Sequence, residues 1–158
     1  MDGVPSVTQP FGVGLGQQLP FFGTSPAAGA NYSTQLDGYG FRRLLTLCFT
    51  LVTDGTAASR LVTVEYRGSD GNPYSINEAT TLVVASSTER FAGSVWKTVS
   101  DFNTGTDLLF NLDCCLLSPG DTLVIAVASA QAGDQLSKIR GTYERFPLNP
   151  DVLPNVEP

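Results

Sequence analysis

The sequence predicts an all-β protein, and three observations support that prediction. Apolar and polar residues alternate in several runs, with the period of a strand. Clusters of Gly, Pro, Asp, Ser and Asn separate these runs at intervals of about eight to twelve residues. No stretch has the apolar period of a helix. We therefore expect an antiparallel β-sandwich with extended N- and C-terminal arms, with a jelly-roll-like topology as first choice and an immunoglobulin-like one as second.

The first predicted strand is the run FRRLLTLCFTLV at residues 41–52, the first dense apolar run of the chain. Its residues divide into two faces when they alternate along a strand. One face holds Leu45, Leu47, Phe49 and Leu51, and the other holds Leu44, Thr46, Cys48, Thr50 and Val52. We expect the later strands to pack against this one and form the core with it.

Further strands are predicted from the same alternation. The run RLVTVEYR at residues 60–67 has one apolar and one polar face, and TLVIAVA at 122–128 is apolar throughout, as in a strand buried on both faces. Gly93 interrupts the run at 90–99 and indicates a bulge or a close approach. The other predicted strands are residues 80–85, 108–117 and 136–146.

Residues 1–40 form the first unit of the chain, an extended arm. They hold Pro5, Pro10, Pro20 and Pro26, many glycines, and no charges except Asp2 and Asp37. Fully stretched, such a segment spans on the order of 130 Å. We expect it to lie across a neighbouring molecule; the alternative is that it wraps its own domain. Its apolar anchors, predicted to contact protein, are Phe11, Leu15, Leu19, Phe21, Phe22 and Tyr32.

Residues 147–158, PLNPDVLPNVEP, form a second arm after the sandwich domain at 41–146. Their prolines exclude a helix and favour the extended polyproline II conformation. Leu148, Val152 and Leu153 are its predicted anchors.

Composition excludes several classes of function. A net charge of −6 argues against a nucleic-acid partner, because phosphate contacts need clustered Lys and Arg, and only Arg42 and Arg43 are adjacent. The chain has no histidine, so a Ser-His-Asp or Cys-His catalytic arrangement is impossible. No carboxylate pair or metal-binding spacing stands out. We expect neither an enzyme nor a metal or cofactor site, no secretory signal, and no membrane span.

Two stretches resemble small β-sandwich virion proteins of tailed bacteriophages. They are FRRLLTLCFTLVTDGTAASRLVTVEYRGSDGN at residues 41–72 and LSPGDTLVIAVASAQAGDQLSKIRGTYERFP at residues 117–147. The resemblance implies a capsid decoration (cement) protein that is assembled in the host bacterial cytoplasm and located in the virion. It also implies binding to the major capsid protein or other virion proteins, and a homo-oligomer, expected to be a trimer.

An alternative function is a head-fibre, tail or other adhesion module that binds host-surface glycan or protein. Trp96 and Tyr74 are the only aromatic residues that suit such a role. The arm hypothesis itself makes a prediction: deletion of residues 1–38 leaves the sandwich folded and abolishes capsid binding.

Overall fold

The computed structural model describes residues 16–36, 40–95 and 107–146, and these ranges form nine strands. The all-β prediction is confirmed. Within these ranges no helix is long and apolar enough to cross a membrane. The strands are β1 Gln17–Phe22, β2 Tyr32–Thr34, β3 Phe41–Val52, β4 Leu61–Arg67, β5 Pro73–Glu78, β6 Thr88–Ser94, β7 Asp107–Asn111, β8 Thr122–Ala128 and β9 Gln135–Phe146.

Two sheets face each other across the core. The larger has the order β1-β9-β3-β6-β7, and the smaller has the order β2-β8-β4-β5. Every pair of neighbours is antiparallel except β6 and β7, which are parallel. Strands that follow each other in the chain mostly lie in opposite sheets, so their connections cross from one layer to the other. The predicted antiparallel β-sandwich is thus confirmed.

Strand β3 is central, hydrogen-bonded to β9 on one side and to β6 on the other. Its pairing with β9 shifts register between Leu44 and Thr46, and again between Cys48 and Thr50. A β-bulge of this kind changes which side chains face the core. The alternation predicted for β3 is therefore wrong before Thr46: Leu44 belongs to the core cluster, and Leu45 is buried outside it.

Aromatic packing fills the middle of the core. The Phe49 ring stacks on Phe91 with centroids 4.9 Å apart, and Phe110 lies 6.0 Å from Phe49. Such pairs contribute about 0.5–1.5 kcal/mol beyond the burial of their area. A Cβ atom at Gly93 would lie 2.5 Å from the Phe110 ring. Of the two predictions made for Gly93, the close approach is the correct one.

Residues 16–36 lie against this chain's own sandwich. Strand β1 pairs with β9 from Gln17 opposite Arg145 to Phe22 opposite Arg140, and β2 pairs with β8. The prediction that the first strand is residues 41–52 is therefore wrong, because β1 and β2 precede it. In β1 only Leu19 and Phe21 face the core, and β2 is three residues long, so the apolar pattern of each strand is short. Residues 1–15 and 147–158, including most of the predicted arms, lie outside the described ranges.

Two predicted strands differ from the structure. Residues 80–85 form only an isolated bridge, between Val83 and Arg60. The predicted strand 108–117 ends at Asn111, because the backbone N–H of Asp113 donates to the side chain of Asn77 on β5 and the chain leaves the ladder there. Strand β5 itself was not predicted from the sequence.

Candidate interaction surface

Strand β5 is an edge strand with inverted polarity. Tyr74 and Ile76 are 49% and 52% exposed, whereas the polar Ser75 and Asn77 are buried. β5 pairs with β4 and is the outermost strand of the smaller sheet. An exposed sheet edge that carries large apolar side chains favours contact with another protein chain.

Hydrogen bonds of the buried Ser75 and Asn77 side chains set this orientation of β5. Ser75 Oγ donates to Asp113 Oδ2, and the Asp113 backbone N–H donates to Asn77 Oδ1 at 2.8 Å. Asn77 Nδ2 donates to the carbonyl oxygen of Val64 at 3.2 Å. Leaving such buried polar groups unpaired costs about 1–3 kcal/mol each. Because these bonds hold Ser75 and Asn77 inside, Tyr74 and Ile76 must face outward.

The segment after β5 extends the same edge along β4. The backbone N–H of Ala79 donates to Val62 O at 2.9 Å, and Val83 and Arg60 exchange two backbone hydrogen bonds of 2.9 Å. Leu82 and Val84 project from this segment and are 54% and 61% exposed. We name the exposed side chains along this edge the apolar edge; they are Tyr74, Ile76, Leu82 and Val84.

A buried ion-pair cluster holds Arg60, the residue just before β4. Arg60 is fully buried, and its Nε donates to Asp134 Oδ2 at 2.9 Å while Nη2 donates to Asp54 Oδ1 at 2.9 Å. Nη1 donates to the carbonyl oxygens of Thr56 and Ala58. The hydrogen bond with Asp134 raises the pKa of Arg60 above its usual value. The turn before β9 and the loop before β4 are thereby fixed together.

Asp134 keeps its charge in this cluster. Burial alone raises the pKa of a carboxyl group, but hydrogen bonds from Arg60 and from the backbone N–H groups of Gln131 and Asp54 outweigh burial and lower the pKa of Asp134 below its usual value. The ionised form is therefore the one that the folded protein stabilises.

A groove opens beside Tyr74, with a volume of about 560 Å³, between the β4–β5 turn and the turn before β8. The Tyr74 hydroxyl donates to Asp121 Oδ2 at 3.1 Å, and the Ser118 N–H donates to the same oxygen at 2.7 Å. Burial and the nearby Asp121 carboxylate raise the pKa of Tyr74. The phenol therefore stays a neutral hydrogen-bond donor at the wall of an open, oxygen-rich groove.

The predicted arm anchors divide into three groups. Leu19 and Phe21 of β1 are half-buried and pack against the core, with the Phe21 ring 6.4 Å from that of Tyr143, and Tyr32 of β2 is buried. These three have partners in their own chain. Phe22 is 79% exposed and is accessible to another chain. The others lie outside the described residues: Phe11, Leu15, Leu148, Val152 and Leu153.

The apolar edge was missed in the sequence, although its signal is present. Tyr74 and Ile76 alternate with Ser75 and Asn77, which is a strand pattern. Which face of β5 points outward depends on Asp113, a residue far along the chain. The local sequence around β5 does not indicate that contact.

Comparison with known proteins found no matching family model and no matching curated protein. Among solved structures, a chain of turnip yellow mosaic virus is similar over 96% of this chain and 90% of its own length, with 16% identity and a TM-score of 0.31. A chain of infectious bursal disease virus, Gx strain, is similar over 99% of this chain, with 12% identity and a TM-score of 0.34. This chain covers 48% of that one. At TM-scores this low, the likeness establishes neither topology nor function.

Proposed function

We propose that this chain is a non-enzymatic structural protein of a virion, and within that class a capsid decoration protein. It binds the assembled phage head lattice and stabilises it through oligomerisation and terminal arms. The observation that carries the proposal is the apolar edge, where Tyr74, Ile76, Leu82 and Val84 are exposed along one sheet edge. Four large side chains exposed in this way are costly unless a partner covers them.

The strand order supports a jelly roll as the scaffold. Without β7, the sheets run β1-β9-β3-β6 and β2-β8-β4-β5, so eight strands form two four-stranded layers with crossing connections. Double-sheet jelly rolls of eight strands recur in viral capsid domains. Fold alone does not assign function, so the surface remains the stronger support.

Residues 1–15 and 147–158 are the arms in this proposal. The described part of the N-terminal segment pairs with the chain's own sheets. Residue 16 lies just before β1, which is an edge strand of the larger sheet. A fully extended segment of fifteen residues spans on the order of 50 Å. Linked arms strengthen weak contacts with a lattice, because the first contact raises the effective concentration of the next.

The apolar edge is tested by a double variant, Ile76→Ser with Leu82→Ser. We expect the variant to fold normally, because both side chains are already exposed, and to lose at least about tenfold in affinity for purified phage heads that lack this protein. Co-sedimentation with the heads measures the binding. Leu116→Ser is the matched control. Leu116 is as exposed as the two altered residues, at 53%, but it lies after β7 and is not part of the apolar edge. Equal binding by the double variant and the control would contradict the proposal.

The groove beside Tyr74 favours one alternative, an adhesion module that binds a glycan. An exposed aromatic ring beside oxygen-rich turns suits stacking on a sugar and hydrogen bonding to its hydroxyls. A glycan-array signal that Tyr74→Phe retains and Tyr74→Ala loses would support this alternative. No signal on the array, together with binding to heads, supports the decoration protein.

A further inference from the structure

A second surface lies on the outer face of the larger sheet, away from the core. It is a shallow pocket of about 220 Å³ across β6, β3 and β9. Its lining contains three cationic side chains and no carboxylate; the lining residues are Cys48, Phe49, Thr50, Arg90, Lys138 and Arg140. Such a pocket attracts an anionic group even though the whole chain carries a net charge of −6.

The second bulge of the β3–β9 pair builds this pocket. Cys48 lies opposite Arg140 and Thr50 opposite Ser137, so Lys138 and Ile139 together oppose Phe49. Ile139 is buried in the core, and Lys138 has a φ of 52°, in the left-handed region. A bulge re-aims the side chain of its extra residue. As a result Lys138 and Arg140 are both exposed next to the same pocket.

Lys138 and Arg140 are the two cations available to bind an anionic group in this pocket. Among the described residues, the salt bridges involve Arg43, Arg60 and Arg67, and neither Lys138 nor Arg140 takes part in one. Arg90 makes another contact within the chain. It lines the pocket as well and adds positive charge to its wall. Exposed cations without carboxylate partners can pair with an incoming acid at little cost in lost contacts.

An exposed aromatic ring stands next to the cations. Phe22 lies directly opposite Arg140 in the β1–β9 ladder, and residues opposite each other in an antiparallel pair project from the same face. Phe22 is 79% exposed. The surface therefore combines two cations with an aromatic ring, which fits an extended segment that carries an acid among prolines.

Residues 147–158 have that composition. Asp151 follows Pro150, Glu157 precedes Pro158, and the segment has no Lys or Arg. Phe146 precedes Pro147, and the residue before a proline favours an extended backbone. Arg140 lies six residues back along the same strand. That geometry favours the pocket of another molecule over the chain's own.

We propose that the pocket binds residues 147–158 of a second copy of this chain. Asp151 pairs with Lys138 and Arg140, and the neighbouring prolines pack on Phe22. This inference rests on the self-association that forms part of the proposed function, but not on binding to the phage head. A nucleic acid is a poorer occupant, because so few cations would contact its phosphates.

Two charge-reversed full-length chains test the contact, one with Lys138→Glu and Arg140→Glu, the other with Asp151→Lys and Glu157→Lys. Sedimentation velocity at low salt measures self-association of each alone and association of the two when mixed. We expect each alone to associate at least about fivefold more weakly than the unaltered chain, and the mixture to recover most of the loss. Glu78→Lys and Glu78→Gln, on the exposed face of β5 in the other sheet, are the controls and should associate normally.

Three results would overturn the inference. They are an unaltered chain that stays monomeric at low salt, reversed variants that associate as the controls do, and a mixture that recovers nothing. Binding of a single-stranded oligonucleotide that Lys138→Glu with Arg140→Glu abolishes, while self-association is unchanged, would also overturn it. Head binding is measured in parallel: if it persists without self-association, this inference and the oligomerisation fail, and the head-binding role stands.

Discussion

At the scale of single residues, close packing and ion pairing show where a substitution destabilises the fold most. Gly141 of β9 lies so close to its neighbours that a Cβ atom there would be 2.3 Å from the carbonyl oxygen of Thr46 and 2.5 Å from the Phe21 ring. A backbone oxygen in a paired strand cannot move aside as a flexible side chain can. Arg60 and Asp134 show the complementary case, in which charged side chains are buried because each satisfies the other.

Gly141→Ala is predicted to destabilise the protein by about 2–3 kcal/mol, because the added methyl group must push apart β3 and β9 or displace Phe21. Urea denaturation measures the change in the free energy of unfolding. Gly55→Ala is the control, since a Cβ at Gly55 meets only the Ser86 hydroxyl, at 3.7 Å. A loss below about 0.5 kcal/mol for Gly141→Ala would contradict the close approach.

Asp134→Asn is predicted to destabilise the protein by on the order of 2–4 kcal/mol at neutral pH, because it removes the main counter-ion of a buried arginine. The lowered pKa of Asp134 also sets a pH dependence. Its contribution is fully present above the pKa of the unfolded state, near 4, and is lost as the pH falls through the lower folded value.

Thermal unfolding from pH 7 to pH 2 checks this contribution. Asp134→Asn should flatten the acid side of the curve, whereas Glu78→Gln, on the exposed face of β5, should follow the unaltered protein. An equally steep acid loss in Asp134→Asn would show that the cluster contributes nothing.

At the scale of elements, the sequence predicted strands well where one face is apolar and the partner strand is regular. β3, β4, β8 and β9 were located within a residue or so of their observed ends. β1 and β2 were not predicted because β1 turns only Leu19 and Phe21 towards the core and β2 has three residues, so neither shows a long apolar alternation. β5 was not predicted because the residues on its buried face are polar. The candidate surface was missed with it, since its outward orientation depends on the distant Asp113.

The structure changes the expected effect of truncating the N-terminal segment. Tyr32 and Leu36 are 6% and 3% exposed, and each buried side chain of this size contributes about 1.5–3 kcal/mol. Deletion of residues 1–36 is therefore predicted to unfold or severely destabilise the domain, contrary to the effect expected from the sequence. Deletion of residues 1–15 removes only the segment before β1.

Circular dichroism and head co-sedimentation distinguish the two truncations. We expect the deletion of residues 1–15 to keep the β-sheet spectrum and the melting temperature within a few degrees, but to bind heads more weakly than the full chain. A folded protein after deletion of residues 1–36 would contradict the pairing of β1 and β2. Unchanged head binding after deletion of residues 1–15 would contradict the arm.

At the scale of the whole molecule, the sandwich presents two surfaces of different chemistry. The apolar edge lies on the smaller sheet, and the basic pocket beside Phe22 lies on the outer face of the larger sheet. One suits a dry contact with another protein, and the other suits an acidic extended segment. A tail-to-pocket contact between identical chains is head-to-tail, so it closes into a ring or continues as a filament, and the apolar edge remains for a different protein.

The central claim is that this chain is a repeated part of a virion. Its most direct test is quantitative mass spectrometry of purified, salt-washed particles of the virus that encodes it. We predict that the chain is present at a fixed molar ratio to the major shell protein in every preparation. Absence from the particles, or a ratio that falls with each wash, would contradict the account.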